Sequence, residues 1–283
     1  MLLLVLLASH ACTALEVTAS GSTTIVWSAL DSYHKCCKNG SGYLPYHECK
    51  LAANPDIPAR AFQDDTGVVR MIVGSTAYSH MSGPSLMNQT RDCAVTYNKT
   101  ADGNPADFAA DEYLDSPIAF DNGTVISLVH TEFPGNRYNN SGGPNAPYCT
   151  GPAYPDCWTV SVGQVISHDW GATFSHAAPP PHHLVAAVPY GYNQSQPAYG
   201  WGDPSNIVKH KDDGFYYAAL WNRHQVGLQA PGICMMRTNN LLDPTSWRAW
   251  GGKDYSVSFA DPYTMTPGTD AQHVCTITNL PGE

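Results

Sequence analysis

Apolar residues in this chain come in short blocks or alternate with polar ones, and Gly, Pro, Asp and Asn punctuate them every few positions. No stretch sustains a helical period, so the pattern predicts short strands joined by turns. Strands are expected at 68–74, 124–133, 162–167, 184–189, 215–221 and 232–238. A strand–turn–strand unit recurs, usually entered through Asp or Asn near a Pro, with starts at Asp56, Asp115, Val162, Asp203 and Asp261. Intervals of roughly 40–60 residues suit four-stranded repeat units carrying loop insertions. Too little chain follows Asp261 for a whole unit. Either a strand near 23–28 completes it or the last unit is left incomplete, and the strand-like 275–283 entering a turn favours the second.

Composition agrees with this picture. The 283 residues include 24 Gly, 22 Pro, 16 Tyr and 7 Trp, a mixture that suits an all-β domain of turns and pleated, half-buried surfaces. Only 14 Lys and Arg face 24 Asp and Glu, a net charge of −10 that argues against a nucleic-acid groove, which needs cations to displace phosphate counterions. Residues 1–14 form an apolar run ending in small residues, as in a signal peptide, and too short to span a bilayer. The expected product is a secreted protein without a membrane span, with 15–283 as one domain. Removing Cys12 leaves eight cysteines, an even number suited to disulfides. Their pairing stays open among 105 connectivities, with Cys149 and Cys157 able to close one loop on themselves. Their spacing does not suit zinc held through sulfur. Acceptor sequons at Asn39, Asn88, Asn98, Asn122, Asn139 and Asn193 point the same way, to a glycoprotein.

Residues 167–174 read Ser-His-Asp-Trp-Gly-Ala-Thr-Phe. In this pattern Asp169 can accept turn N–H groups, Gly171 can take a positive φ, and Phe174 can pack beneath the hairpin. The octapeptide resembles the Asp-box of sialidase-like propellers. Asp203-Pro-Ser, with Asp213-Gly-Phe-Tyr-Tyr downstream, looks like the blade opening of five-bladed arabinanases and xylosidases. Over about residues 54–270 the chain therefore resembles the sialidase-like and arabinanase-like β-propeller glycoside hydrolases. The resemblance implies an all-β, five-bladed or six-bladed β-propeller and an oligosaccharide or polysaccharide partner met at a central funnel.

Glycoside hydrolysis needs two carboxylates across the scissile bond, one protonated and one ionised. The candidates are Asp64, Asp115, Glu132 and Asp203, at unit openings or strand ends. Glu132 shares a strand face with His130, since side chains alternate with period two. One reading makes Glu132 the acid and His130 its orienter; the other makes them a structural pair. Asp203 equally suits an Asx turn, and Asp243 is expected to be structural. Arg60, Arg237, Trp201 and Trp221 are substrate-binding candidates beside His130, the tryptophans because sugar rings stack on aromatic faces. The arginines do not align with a sialidase triad, which argues against that activity. No cofactor or metal is assigned: carboxylates and carbonyls could hold calcium on the propeller axis, but no ligand set is legible. A monomer is expected. The competing function is a non-catalytic secreted propeller that binds glycans or proteins.

Overall fold

The computed structural model describes residues 38–39, 42–43, 57–74, 78–91, 94–98, 102–140, 146–151 and 156–278. The apolar segment 1–14 and Cys36, Cys37, Cys49 and Cys93 lie outside the described residues. No α-helix occurs among those described, only short 3-10 turns such as Pro105–Asp107, Pro244–Ser246 and Asp270–His273. None of them is long and apolar enough to cross a membrane.

Strands β1 (Lys38–Asn39) and β2 (Gly42–Tyr43) pair by themselves. A first sheet runs in chain order through β3 (Arg60–Gln63), β4 (Val69–Gly74), β5 (Tyr78–Ser85) and β6 (Asn88–Arg91). The second is antiparallel through β7 (Asp111–Ala119), β8 (Val125–Pro134), β9 (Trp158–Ser167) and β10 (Ser175–His176). Two further strands join β9: β11 (Leu184–Ala186), antiparallel, and β12 (Tyr199–Gly200), parallel. A third sheet runs through β13 (Val208–Lys209), β14 (Tyr216–Asn222), β15 (Gly232–Thr238), β16 (Arg248–Ala249) and β17 (Val257–Ser258).

The second sheet is buried on both faces, and this shapes its sequence. Leu114, Val129 and Val165 pack against Ile72, Phe62 and Tyr97 on the side of the first sheet. Ile126, Leu128 and Val162 pack against Ala218, Leu220, Met236 and Trp247 on the side of the third. A strand covered on both faces reads as a near-continuous apolar run, and in β8 only Glu132 escapes full burial. The same burial corrects the repeat read from sequence. Val162 lies in the middle of β9 rather than opening a unit, so the stretches starting at Asp115 and Val162 are one sheet. Beyond Asp261 the described residues add the Asp270–His273 turn and the isolated bridge of Thr278 to Ile233, but no further sheet.

The 167–174 turn links β9 to β10 in the expected manner. Asp169 accepts the Thr173 amide at 2.9 Å and its hydroxyl at 2.7 Å, while Ser167 Oγ accepts the Gly171 amide at 2.8 Å. Gly171 has φ +76°, and Phe174 joins the core between the first two sheets. Burial would raise the Asp169 pKa, but the hydrogen bonds from Thr173 and Ser167 overcome it and hold it below the ordinary value. Disulfides join Cys149 to Cys157, as the loop reading allows, and Cys234 to Cys275.

Candidate active site

The second sheet delivers three polar residues to one place. Its edge strand β7 breaks register between Leu114 and Ser116, leaving Asp115 at a bulge. Bulges re-aim a side chain without breaking a sheet. Asp115 is 1% exposed and accepts a hydrogen bond from Arg60 Nε at 3.3 Å. On β8, His130 and Glu132 project from one face at the strand's end. His130 Nε2 lies 3.2 Å from Glu132 Oε1.

The segment following β12 closes the site from the third sheet. Gly202 exchanges both backbone hydrogen bonds with Trp221 on β14, at 2.9 and 3.0 Å. A methyl group on Gly202 would stand 2.6 Å from His130 Cε1, so only glycine lets this backbone press against the imidazole. Asp203 next to it has φ +46°, a left-handed conformation that carries a strain cost for a non-glycine residue. That conformation accompanies a 2.9 Å hydrogen bond from the Asp203 amide to His130 Nδ1. Ser116 Oγ anchors the next residue by donating to the Pro204 carbonyl at 2.9 Å.

These contacts fix the imidazole. Because Nδ1 accepts the Asp203 amide, the neutral ring carries its proton on Nε2 and donates it to Glu132 Oε1. Burial works to lower the His130 pKa, but the Glu132 hydrogen bond and the charges of Glu132, Asp203 and Asp115 outweigh it and raise it above the usual histidine value. Desolvation lifts Asp115 to about 6 against the pull of Arg60 and His130, with Asp203 adding to the rise. Asp203 itself stays open to solvent, its side chain 51% exposed and its Oδ1 3.8 Å from His130 Nδ1.

Glu132, His130 and Asp203 line a cavity of about 190 Å³, together with Trp158, Trp221 and Arg223. Trp221 is 39% exposed, and the Arg223 guanidinium sits 5.4 Å over its ring. Wider cavities of about 230 and 470 Å³ hold one carboxylate, Asp261, and none, respectively. The pocket between the second and third sheets thus combines paired carboxylates, an imidazole and an exposed aromatic face.

Of the residues picked from sequence, the structure gathers Asp115, Glu132, Asp203, His130 and Trp221, with Arg60 behind Asp115. Three do not join them. Asp64 serves its own hairpin: it accepts the amides of Thr66 and Val68, the Thr66 hydroxyl and Arg70 Nε. Trp201 is fully buried in the core between the second and third sheets, so no sugar can stack on it. Arg237 lies against Phe215 and Tyr255 on the third sheet and donates to Tyr217. Asp243 caps the Pro244–Ser246 turn, as its Asp-Pro context suggests. Sequence reasoning missed Arg223, which follows the last residue of β14 and reaches back over the Trp221 ring. Among the sequons, Asn88, Asn98, Asn122 and Asn193 are exposed. Asn139 instead engages the Cys149 backbone through both amide atoms, at 2.7 and 2.8 Å, and Asn39 lies in β1.

Away from the pocket, Glu112, His176 and His183 bring one carboxylate and two imidazoles within metal-ligand reach of one another.

No protein-family model matches the chain, and no curated protein does. Among solved structures it is similar to a thermostable family-43 glycoside hydrolase, with a TM-score of 0.42 and 10% identity, covering 71% of this chain and 55% of the other. It is similar also to an exo-1,5-α-L-arabinanase from a bovine ruminal metagenomic library, with a TM-score of 0.38, 14% identity and coverage of 68% and 53%. An α-L-arabinanase of Penicillium chrysogenum, solved with arabinobiose, gives a TM-score of 0.40, 8% identity and coverage of 72% and 52%. The chain spans about half the length of these structures.

Proposed function

We propose that this protein is a secreted glycoside hydrolase, its sheets the blades of a β-propeller and its active site the pocket between the second and third sheets. One observation carries the reading: Glu132 and Asp203 flank the two nitrogens of a single buried imidazole in an aromatic-lined pocket. Contacts of 3.2 and 3.8 Å across one ring hold the two carboxylates within roughly 9 Å, inside the ~5–9.5 Å spread of glycosidase pairs.

Glu132 is the general acid. Its Oε1 accepts the His130 Nε2 proton, which leaves Oε2 to carry the proton given to the leaving oxygen. Asp203, the more exposed of the two, acts as the base that takes a proton from water. Asp115 stays behind the pocket and, with Arg60, sets the field around His130. Trp221 offers a face for a sugar ring, and Arg223 donors for its hydroxyls. The Cys149–Cys157 and Cys234–Cys275 disulfides suit an oxidising compartment.

The test is hydrolysis of a panel of aryl glycosides and polysaccharides by the wild type, Glu132→Gln and Asp203→Asn. Loss of an acid or base is expected to cut kcat/KM by ~10²–10⁴-fold. Turnover unchanged in both variants removes these residues from the mechanism. Absence of turnover on every substrate, with binding retained on a glycan array, identifies a binding module instead.

A further inference from the structure

The geometry points to a zinc site between the first and second sheets, made by Glu112, His176 and His183. Glu112 comes from β7, His176 from β10 and His183 from the turn just before β11, so the cluster joins the two ends of the β10-β9-β8-β7 run of the second sheet. One ligand atom from each residue lies within 4.8 Å of the other two. His176 Nε2 is 2.7 Å and His183 Nε2 3.8 Å from the same Glu112 oxygen. Four ligands around zinc, at bond lengths of ~2.0–2.1 Å, stand roughly 3–3.5 Å apart, so small side-chain adjustments complete the set.

The fold makes room for this meeting. Two strands separate Glu112 from the outer edge, and a side chain on the face between them would block its reach. Gly163 on β9 supplies the gap, since a methyl there would lie 2.8 Å from His183 Cδ2. The Tyr97 hydroxyl borders the cluster, 3.0 Å from His176 Nε2.

His183 turns Nε2 toward the cluster, 3.8 Å from the Glu112 oxygen and 3.1 Å from the Phe108 carbonyl to which it donates. Zinc bound at this nitrogen would replace the Phe108 hydrogen bond and leave the ring proton on Nδ1. That nitrogen is fully buried and has no hydrogen-bond partner among the described residues. Two imidazoles and a carboxylate form a borderline donor set suited to zinc rather than to calcium or magnesium, which prefer oxygen.

The site is distinct from the pocket of His130 and Glu132, so its test does not depend on hydrolysis. The full chain, free of any affinity tag, is equilibrated with zinc chloride, dialysed, and assayed by elemental analysis. The expected result is about one zinc per chain. The Tm should rise with zinc and fall with a chelator, and cobalt(II) substitution should give the intense visible bands of a tetrahedral site. Glu112→Gln and His183→Gln, which preserve volume and hydrogen bonding, should weaken zinc at least as much as the ~10–100-fold cost of losing an outer-shell partner. His176→Gln, at the partly exposed edge, provides a third variant with circular dichroism as the folding control. The inference is overturned if the wild type retains no zinc, or if the folded variants retain as much as the wild type. Should every variant fail to fold, wild-type stoichiometry and the cobalt spectrum decide.

Discussion

Replacing Asp115 with Asn should change how stability depends on pH, in a direction the site dictates. Asp115 is 1% exposed, and its pKa rises from 3.8 to about 6 because desolvation outweighs the attraction of Arg60 and His130. The folded state therefore binds this proton more tightly than the unfolded chain does. Stability from that proton is fully present below the unfolded value and is lost as pH climbs, between about pH 4 and 6.5. At 1.36 kcal/mol per pKa unit the loss amounts to ~3 kcal/mol. The amide introduced by Asp115→Asn cannot ionise, so the stability of that variant should not share this fall. His130 also has a raised pKa, and stability linked to it likewise declines as pH rises through its folded value, but it remains in both proteins. Removing Asp115 withdraws one of the charges that raise the His130 pKa, which moves the comparison the same way. The assay is urea unfolding of both proteins at half-unit steps from pH 4.5 to 7.5. The stability of Asp115→Asn relative to the wild type should rise by ~2–3 kcal/mol across that range, even if loss of the Arg60 partner offsets it by a constant. Parallel curves would refute the reasoning, because they would mean that Asp115 ionises in the folded state as easily as in the unfolded one.

Two further outcomes follow from named contacts. Gly202→Ala places a methyl 2.6 Å from His130 Cε1 and 2.8 Å from Nδ1, so the ring must shift and the Asp203 hydrogen bond weakens. Overpacking should cost ~1–3 kcal/mol in urea unfolding, with kcat/KM down about 10²-fold for a shift near 1 Å; wild-type values on both would show that the glycine does not clamp the ring. Breaking the Cys234–Cys275 disulfide with paired serines frees a loop of sequence separation 41 and should destabilise the protein by ~4 kcal/mol, read as a Tm loss that reductant reproduces in the wild type.

Part of this was legible in the chain because local rules suffice for it. Period-two alternation put His130 and Glu132 on one face, and the turn chemistry of 167–174 stated its own hydrogen bonds. Rules of that kind fail where the deciding contact is distant. Asp64 and Asp115 look alike as acids among strands, yet one is consumed by its hairpin while a bulge sends the other to Arg60. Trp201 and Trp221 are equally plausible sugar platforms until the third sheet covers the first and leaves the second open. The unit boundary set at Val162 failed because a sheet buried on both faces loses the polar spacing that marks its edges. Glu112 gave no sign of meeting His176 and His183, because 64 residues separate it from His176 and only the folded sheet brings them together.

Tyr199 and Gly200 belong to the second sheet through β9, and two residues later Gly202 is bonded to the third through β14. Asp203 follows directly, carried on a stretch of backbone that two sheets own in common. The pocket is therefore a joint rather than a loop, and its width is the angle between the sheets written into five residues. Heat or denaturant that lets the sheets slip by a fraction of an ångström would dismantle the site while each sheet stays whole, so loss of turnover would come before loss of β-structure on the way to unfolding.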